Sequence, residues 1–392
     1  VAGFAAELVG LGYARQSVEA QLRLMNHVSL WLESECLAGG DLSIEVIERF
    51  VAARRCRRGR GDGNLRSVRA LVPLLGFLRR VGAAPVPSVV APVGPAMLLT
   101  TRFAQCLRTE RGLAEATVAS YTSQVSVFVT WRLDRHGCDW GSLTAGQVRE
   151  FVSVRAVGQR PRSVQVGLTA LRTLLRWMFA EGLVPAGLAE GLGPVSAPTM
   201  VALPKALTTD QVKDMLAGLP ADGPARLRDE AILVLLWRIG LRAGEVAALL
   251  LDDIDWRTGV VLVRGKGNRH EQVPLPVDVG RSLAEYLEHG RPVGGVYRQV
   301  FLALDAPHRP IGAGGVSSVV GRAAANAGIG YPVHAHRLRH TTACRVLAAG
   351  GGLVEVGQLL RHAGTSATAV YAKVDIAALA VLARPWPVAG AR

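Results

Sequence analysis

The sequence predicts a mainly α-helical protein with one small antiparallel β-sheet in its C-terminal part, and three observations predict it. Apolar residues recur at helical spacing, as in Val118, Tyr121, Val125, Phe128 and Val129, or Leu168, Leu171, Leu174 and Leu175. One stretch, Ile254 to Leu275, reads instead as a hairpin. Two Pro- and Gly-rich stretches, Pro85 to Pro95 and Pro185 to Pro204, read as linkers that divide the helical pattern into three. The 392 residues exceed the span expected of one domain, and a composition of 49% hydrophobic and 19% charged residues supports large cores, which excludes wholesale disorder.

In chain order, residues 1–84 and 99–184 each read as a small helix bundle, with linkers at 85–98 and 185–205. The two bundles look alike. Gly12, Ser17-Val18, Trp31 and Gly82 are matched by Gly112, Thr117-Val118, Trp131 and Gly182, each 100 residues later. Phe50-Val51 and Arg66-Ser67-Val68 find partners in Phe151-Val152 and Arg162-Ser163-Val164 with small shifts, so the pattern reads as an internal duplication. Between Arg54 and Arg60 stand five arginines, with Gly59, Gly61 and Gly63 close by. Such a loop suits a phosphate backbone, or is simply solvated.

From Thr208 the pattern changes. Thr208 or Thr209 can cap a helix through Leu216, and Arg228 to Trp237 forms a strongly apolar helix ended by Gly240. The hairpin pairs Val260 to Val263 with Gln272 to Leu275 around a turn at Gly265-Lys266-Gly267-Asn268. Helices resume at Ser282 to Leu287, Ser317 to Ala327, Leu338 to Ala348, Leu353 to Leu360 and Ser366 to Ala372. Residues 206–375 thus form a third domain, followed by a tail, 376–392. In that tail Ile376, Leu379, Val381, Leu382 and Trp386 make an apolar stretch that one helix cannot bury alone.

The 45 Lys+Arg against 31 Asp+Glu give a net charge of +14, which points to a polyanionic partner, nucleic acid or an anionic membrane surface, and argues against a basic macromolecule. Each of the three parts is basic, so no single tail explains the total. The apolar runs, such as Ala231 to Trp237 and Val346 to Ala349, are too short to span a bilayer, and the start of the chain, with Glu7, does not read as a secretory signal. A cytoplasmic location is the expectation. Five scattered cysteines without a C-x-x-C pair argue against a disulfide framework and a structural zinc site.

The most specific signal is a series of motifs in fixed order: Gly240-Leu-Arg242-Ala-Gly-Glu245, His336-Arg-Leu-Arg339-His340-Thr341, Leu359-Leu-Arg-His362, and Tyr371. Over roughly Thr208 to Val374 this resembles the catalytic domain of the tyrosine recombinases, the phage integrase family. The resemblance implies that Arg242, Lys266, His336, Arg339, His362 and Tyr371 act together on one DNA phosphodiester, with no metal or other cofactor. His334 and Arg337 share the His-x-x-Arg spacing, but His336 and Arg339 place Leu338, His340 and Thr341 where the family has Leu-Arg-His-Thr. Two positions depart from the family pattern: Gly244, where a small hydroxyl residue is frequent, and Arg361, where Gly is usual.

The chemistry of these residue types agrees. Arg242 and Arg339 can fork onto non-bridging phosphate oxygens with fixed charge and stabilise a pentacoordinate transition state. A phenol such as Tyr371 can attack phosphorus and keep the bond energy in a phosphotyrosyl link for rejoining. Arginine is the default cation here, since only four of the 45 basic residues are lysines. Lys266 at a hairpin tip can therefore be singled out, because a lysine can protonate the leaving oxygen where an arginine cannot readily do so. His336 and His362 can hold the phosphate or assist proton transfer, and Glu245 can hold Arg242 by charge pairing.

Residues 99–184 resemble the family's helical, SAM-like core-binding domain, which with the catalytic domain clamps duplex DNA. Residues 1–84 sit where some integrases carry an arm-binding domain, yet look like a second core-binding bundle; their role stays open. Candidate DNA contacts are Arg54, Arg55, Arg57, Arg58, Arg160, Arg162 and Arg361. The resemblance implies helical N-terminal DNA-binding domains and a site-specific DNA recombinase, an integrase or transposase of a mobile element. Its partners would be double-stranded DNA carrying recombination sites and other copies of itself, in a tetramer on paired sites linked through the 376–392 tail, with accessory recombinases or directionality factors and no membrane. A nucleoid-associated place in a bacterial cytoplasm follows. The rival readings are a chromosome dimer resolvase, a type IB topoisomerase-like relaxing enzyme, and a non-catalytic architectural DNA-binding protein.

Overall fold

A computed structural model describes residues 1–56, 68–86, 94–185, 187–193, 206–265, 269–293, 297–362 and 364–374. Among them the protein is mostly helical with one three-stranded antiparallel sheet. The chain groups into two compact units, Val1–Pro87 with Ala202–Arg392, and Ser88–Val201. No helix among the described residues is long and apolar enough to cross a membrane.

The first helical segment holds α1 (Ala2–Gly10), α2 (Arg15–Ser34), α3 (Ile44–Cys56) and α4 (Val68–Arg80) around a core that includes Phe4, Leu8, Val28, Phe50, Leu71 and Leu74. The second holds α5 (Pro95–Thr109), α6 (Glu115–His136), α7 (Ala145–Ala156) and α8 (Pro161–Ala180) around Phe103, Leu107, Phe128, Phe151, Leu171 and Leu174. The segments repeat each other in detail. Gly12 and Gly112 both take positive φ between the first two helices, and Gly82 and Gly182 both do so after the fourth, at +71° and +68°. Trp31 meets Phe50 at 5.5 Å between ring centroids and Trp131 meets Phe151 at 5.4 Å. Phe4 meets Phe77 at 5.2 Å and Phe103 meets Trp177 at 5.5 Å. Each pair ties the same two helices of its bundle, so the repeated sequence positions do the same packing work.

In the C-terminal part, α9 (Thr209–Ala217) starts at the expected cap: Thr208 Oγ1 accepts from Gln211 N–H at 3.1 Å, and Gln211 Oε1 accepts from Thr208 N–H at 3.0 Å. α10 (Gly223–Val234) begins earlier than the apolar run suggested, because Pro224 stands in its first turn, where its missing N–H costs nothing. It runs on into a π-turn, Leu235–Ile239, closed by Gly240 in the left-handed region. α11 (Ala243–Ala248) follows, then β1 (Ile254–Asp255), β2 (Val260–Arg264) and β3 (His270–Pro274) in that spatial order. β2 and β3 form the expected hairpin, in register from Val260 opposite Pro274 to Arg264 opposite His270.

α12 (Val277–Glu285), α13 (Ala313–Asn326) and α14 (Ala335–Ala348) complete the core around Leu235, Leu236, Val261, Phe301, Val320 and Leu338, and α15 (Leu353–Leu359) follows. The expected last helix is split into α16 (Thr365–Thr368) and a 3₁₀ turn, Ala369–Val374, so Tyr371 stands on the tighter turn. Its ring packs with Ala343, Val356 and Leu360 in a small separate apolar cluster. Cys36, Cys106, Cys138 and Cys344 are free thiols.

Candidate active site

The site grows from the sharp turn after the π-turn. Gly240 sits at φ +69°, and a Cβ there would meet Leu360 Cδ2 at 2.8 Å, so both backbone angle and close approach demand glycine. Two residues on, Arg242 caps α11. Its N–H donates to Glu245 Oε2 at 2.8 Å and its Nη1 donates to Glu245 Oε1 at 2.5 Å, the pairing that the three-residue spacing suggested. The Arg242 side chain keeps 39% of its exposure and Glu245 only 4%, so the carboxylate is buried while the guanidinium still reaches the surface.

α14 contributes one face. His336, Arg339 and His340 stand three and four residues apart, the spacing that stacks side chains on one side of a helix. Arg339 is 1% exposed and donates to the carbonyl oxygens of Gly240 and Leu360. It thus braces the loop that carries Arg242 against the end of α15 that carries His362, as a cation at two helix ends should. The competing register ends differently: His334 caps α14 at the surface and Arg337 lies over the Tyr331 ring, 4.4 Å from its centroid.

Tyr371 is 1% exposed, and its phenolic oxygen lies 2.6 Å from His340 Nδ1. The His336 and His340 rings meet edge to face at 4.3 Å, and the His362 ring lies parallel to Tyr371 at 6.3 Å. His362 Nδ1 is fixed at 2.7 Å by Thr368 Oγ1. Arg242, Arg339, Glu245, the histidines and the tyrosine are therefore linked through Arg339, His340 and shared neighbours. Lys266 lies outside the described residues; the hairpin that bears it is closed by Gly265 N–H donating to Arg269 O at 2.7 Å.

Electrostatics follow from burial among cations. Burial pushes the Tyr371 phenol up to about 12, with Arg339 opposing. His340 and His362 are each pushed down to about 4, first by burial, then by neighbouring histidine and arginine charge. His336 is lowered by lost hydration, then by Arg339 and Arg242. At neutral pH Tyr371, His340 and His362 are uncharged. Burial and then Arg242 push Arg339 down to about 10, still charged at neutral pH. Burial alone would raise the Glu245 carboxyl, but the Arg242 N–H and the Arg361 and Arg242 guanidinium groups outweigh it and hold it below the usual range. A phenol beside a neutral imidazole, with two fixed cations close by, suits attack on an anionic ester.

Two contacts had no sign in the motif assignment. His340 is not among the residues the motifs assign, although its four-residue step from His336 places it on the same face of α14. Thr368 is visible only once the chain folds back on His362. The remaining candidates separate. Arg361 takes φ +52°, which explains why glycine is usual there. Its side chain is 6% exposed and its guanidinium donates to Glu245 Oε2 at 2.9 Å, so in this structure it serves a carboxylate and presents little surface to DNA. Arg160 caps α8 at the surface and Arg162 donates to Gln165 Oε1 at 2.9 Å. Arg54 lies on α3 with Nη1 2.8 Å from His27 Nδ1. Arg55 lies on the same helix, its side chain undescribed, and Arg57 and Arg58 lie outside the described residues.

Comparisons with known proteins point one way. A sequence model described as the phage integrase family matches residues 205–377, and one described as the phage integrase N-terminal SAM-like domain matches residues 100–182. The y4rA protein of Sinorhizobium fredii (strain NBRC 101917 / NGR234), whose name describes an integrase/recombinase, is 34% identical over 388 residues, 98% of this chain and 93% of its own. The tyrosine recombinase XerC of Yersinia pestis is 31% identical over 286 residues, 71% of this chain and 91% of its own. Among solved structures, the XerH recombinase in a post-cleavage complex on palindromic difH substrate has a TM-score of 0.57 at 18% identity, over 86% of this chain and 93% of that one. A lambda integrase dimer bound to a COC' core site has a TM-score of 0.55 at 16% identity, over 71% and 94%. At these identities the structural likeness is one of fold.

Proposed function

The chain belongs to the phage integrase family, the tyrosine recombinases, and on that premise we propose that it is a site-specific DNA recombinase that cuts and rejoins duplex DNA through Tyr371. The observation that carries the assignment is the Tyr371 phenol held 2.6 Å from His340 Nδ1, next to the Arg339 brace that gathers the other motifs. Tyr371 Oη attacks the scissile phosphorus, forming a 3′-phosphotyrosyl link as the bond to the 5′ oxygen breaks. With the phenol pushed up to about 12, no phenolate stands ready at neutral pH, so its proton leaves as the new bond forms, and His340 Nδ1 is placed to take it.

Arg242 and Arg339 hold the non-bridging oxygens, Arg339 by turning part of its donor set from the Gly240 and Leu360 carbonyls. His362 is neutral at rest, and an arriving phosphate raises the affinity of His336 and His362 for protons and makes them better donors. Lys266 protonates the departing 5′ oxygen. Attack by a 5′ hydroxyl from another strand reverses the step and releases Tyr371, so no energy source is required. Exchange between two sites calls for several protomers, a tetramer joined through residues 376–392, which lie outside the described residues.

Within the family we assign it to a mobile element, as an integrase or transposase. The support is that y4rA matches nearly the whole chain, whereas XerC matches 71% of it. A plasmid bearing two copies of the junction between the encoding element and its flanking DNA tests this. Excision of the intervening DNA is expected. Relaxation of supercoils without excision would favour a topoisomerase, and exchange confined to chromosomal dimer-resolution sites would favour a resolvase.

A further inference from the structure

Arg361 is built into the site at a conformational cost. It takes φ +52°, a region that glycine enters freely and a side chain does not, and its buried Nε–H finds no hydrogen-bond partner among the described residues. Its charge is withdrawn from water as well, since the side chain is 6% exposed. Such costs persist where the residue serves something nearby.

The contacts of its guanidinium show what it serves. Nη2 donates to Glu245 Oε2 at 2.9 Å and Nη1 donates to the Leu359 carbonyl at 3.0 Å. Glu245 Oε2 also accepts from the Arg242 N–H, and Oε1 accepts from Arg242 Nη1. One buried carboxylate thus serves two guanidinium groups, and the charge of Arg361 acts on it more strongly than the charge of Arg242 does. Arg339 stands in the same field, its charge opposed by Arg242 and Arg361 and favoured by Glu245. With Arg361 in place, the three arginines and Glu245 carry two positive charges in excess; without it they carry one. Among buried groups, poorly screened by water, that difference reaches the neighbouring phosphate site.

We propose that Arg361 is a positioning residue for strand cleavage, which takes up much of the Glu245 charge and so leaves the partly exposed Arg242 guanidinium to the scissile phosphate, without touching DNA itself. The proposal rests on the recombinase reading. Arg242 stays fixed by its two bonds to Glu245, yet its charge is not cancelled there. It therefore meets the negative charge that grows in the transition state nearly undiminished.

The test is single-turnover cleavage of a nicked suicide duplex from the element junction by saturating full chain. The scissile group is either the ordinary phosphate or a methylphosphonate, which lacks its negative charge. On the phosphate, Arg361→Gly should slow adduct formation about tenfold, less than the hundredfold or more typical of losing a donor that touches the oxyanion. On the methylphosphonate the same substitution should cost less than about threefold, because there is less charge for Arg242 to meet. A misshapen site would be slowed alike on both. Arg361→Lys keeps the charge and should restore most of the rate on the phosphate. Duplex affinity, read by anisotropy, should stay within about twofold throughout, since no phosphate contact is lost. Equal losses on the two substrates, a phosphate rate that glycine leaves unchanged or lysine leaves unrestored, or a fall in affinity that matches the fall in rate would each overturn the proposal. Adduct formation at Tyr371 in the unsubstituted chain is scored first: its absence strikes the recombinase reading, whereas an adduct followed by any of those results strikes the role of Arg361 alone.

Discussion

Glu245 carries the one buried carboxylate that both Arg242 and Arg361 share, and the two guanidinium groups depend on it unequally. The Arg361 side chain is 6% exposed and has carbonyls as its other partners, while that of Arg242 keeps 39% of its exposure and has water to fall back on. Glu245→Gln should therefore strand a buried cation and cost about 3 kcal/mol or more in urea unfolding. Arg361→Gly should cost clearly less, because glycine relieves roughly 1 kcal/mol of left-handed strain and leaves Glu245 its bond to Arg242. Equal losses in the two variants would contradict this account of the ion pairs. The sequence made Arg242 and Glu245 legible as a pair since they are three residues apart. It could not show Arg361 turning inward, because its carboxylate stands 116 positions away and only the fold brings them together.

Helix α14 sets the next scale, since it presents His336, Arg339 and His340 to the end of α15 and to the Tyr371 turn. Its spacing was legible, but its start at Ala335 was not, because no proline or hydroxyl cap marks His334. The starts of α9 and α10 show the contrast: Thr208 marks the first plainly with its cap, while Pro224 stands ahead of the apolar run that dominates the pattern of the second. Packing α14 against the α15 end buries His340 and His362 in their neutral forms, each pushed down to about 4. The folded value lies below the ordinary one, so the unfolded chain takes protons first as pH falls. Stability from these groups is complete above about pH 6.5 and is lost as pH falls toward about 4, on the order of 2 kcal/mol for each. Urea melts across that range should show a steeper acid loss in the wild type than in His362→Gln. Parallel curves would mean that His362 has an ordinary histidine affinity for protons in the folded chain.

For the whole molecule, the four ordered motifs announced its chemistry, while the two stretches read as linkers are partly built into the fold: Pro95 opens α5, and Leu188, Ala189 and Leu192 pack in the core of the second bundle, which proline and glycine content alone does not show. The internal repeat was legible from Trp31 and Trp131 or Gly82 and Gly182, and the ring pairs show why those positions recur: each fixes the same helix crossing. What the repeat does was not legible, since nothing in a packing position states which outer face is used. Every assigned catalytic residue lies beyond Thr208, and the account as a whole stands on one of them, Tyr371, as the atom that joins DNA. The direct measurement is to incubate the full chain with a nicked suicide duplex from the element junction and map any protein–DNA adduct by mass spectrometry of the digested complex. The account predicts a phosphate-linked peptide containing Tyr371 in the wild type and none in Tyr371→Phe, with binding to the duplex retained; an adduct that persists in Tyr371→Phe, or that maps to another residue, would contradict it.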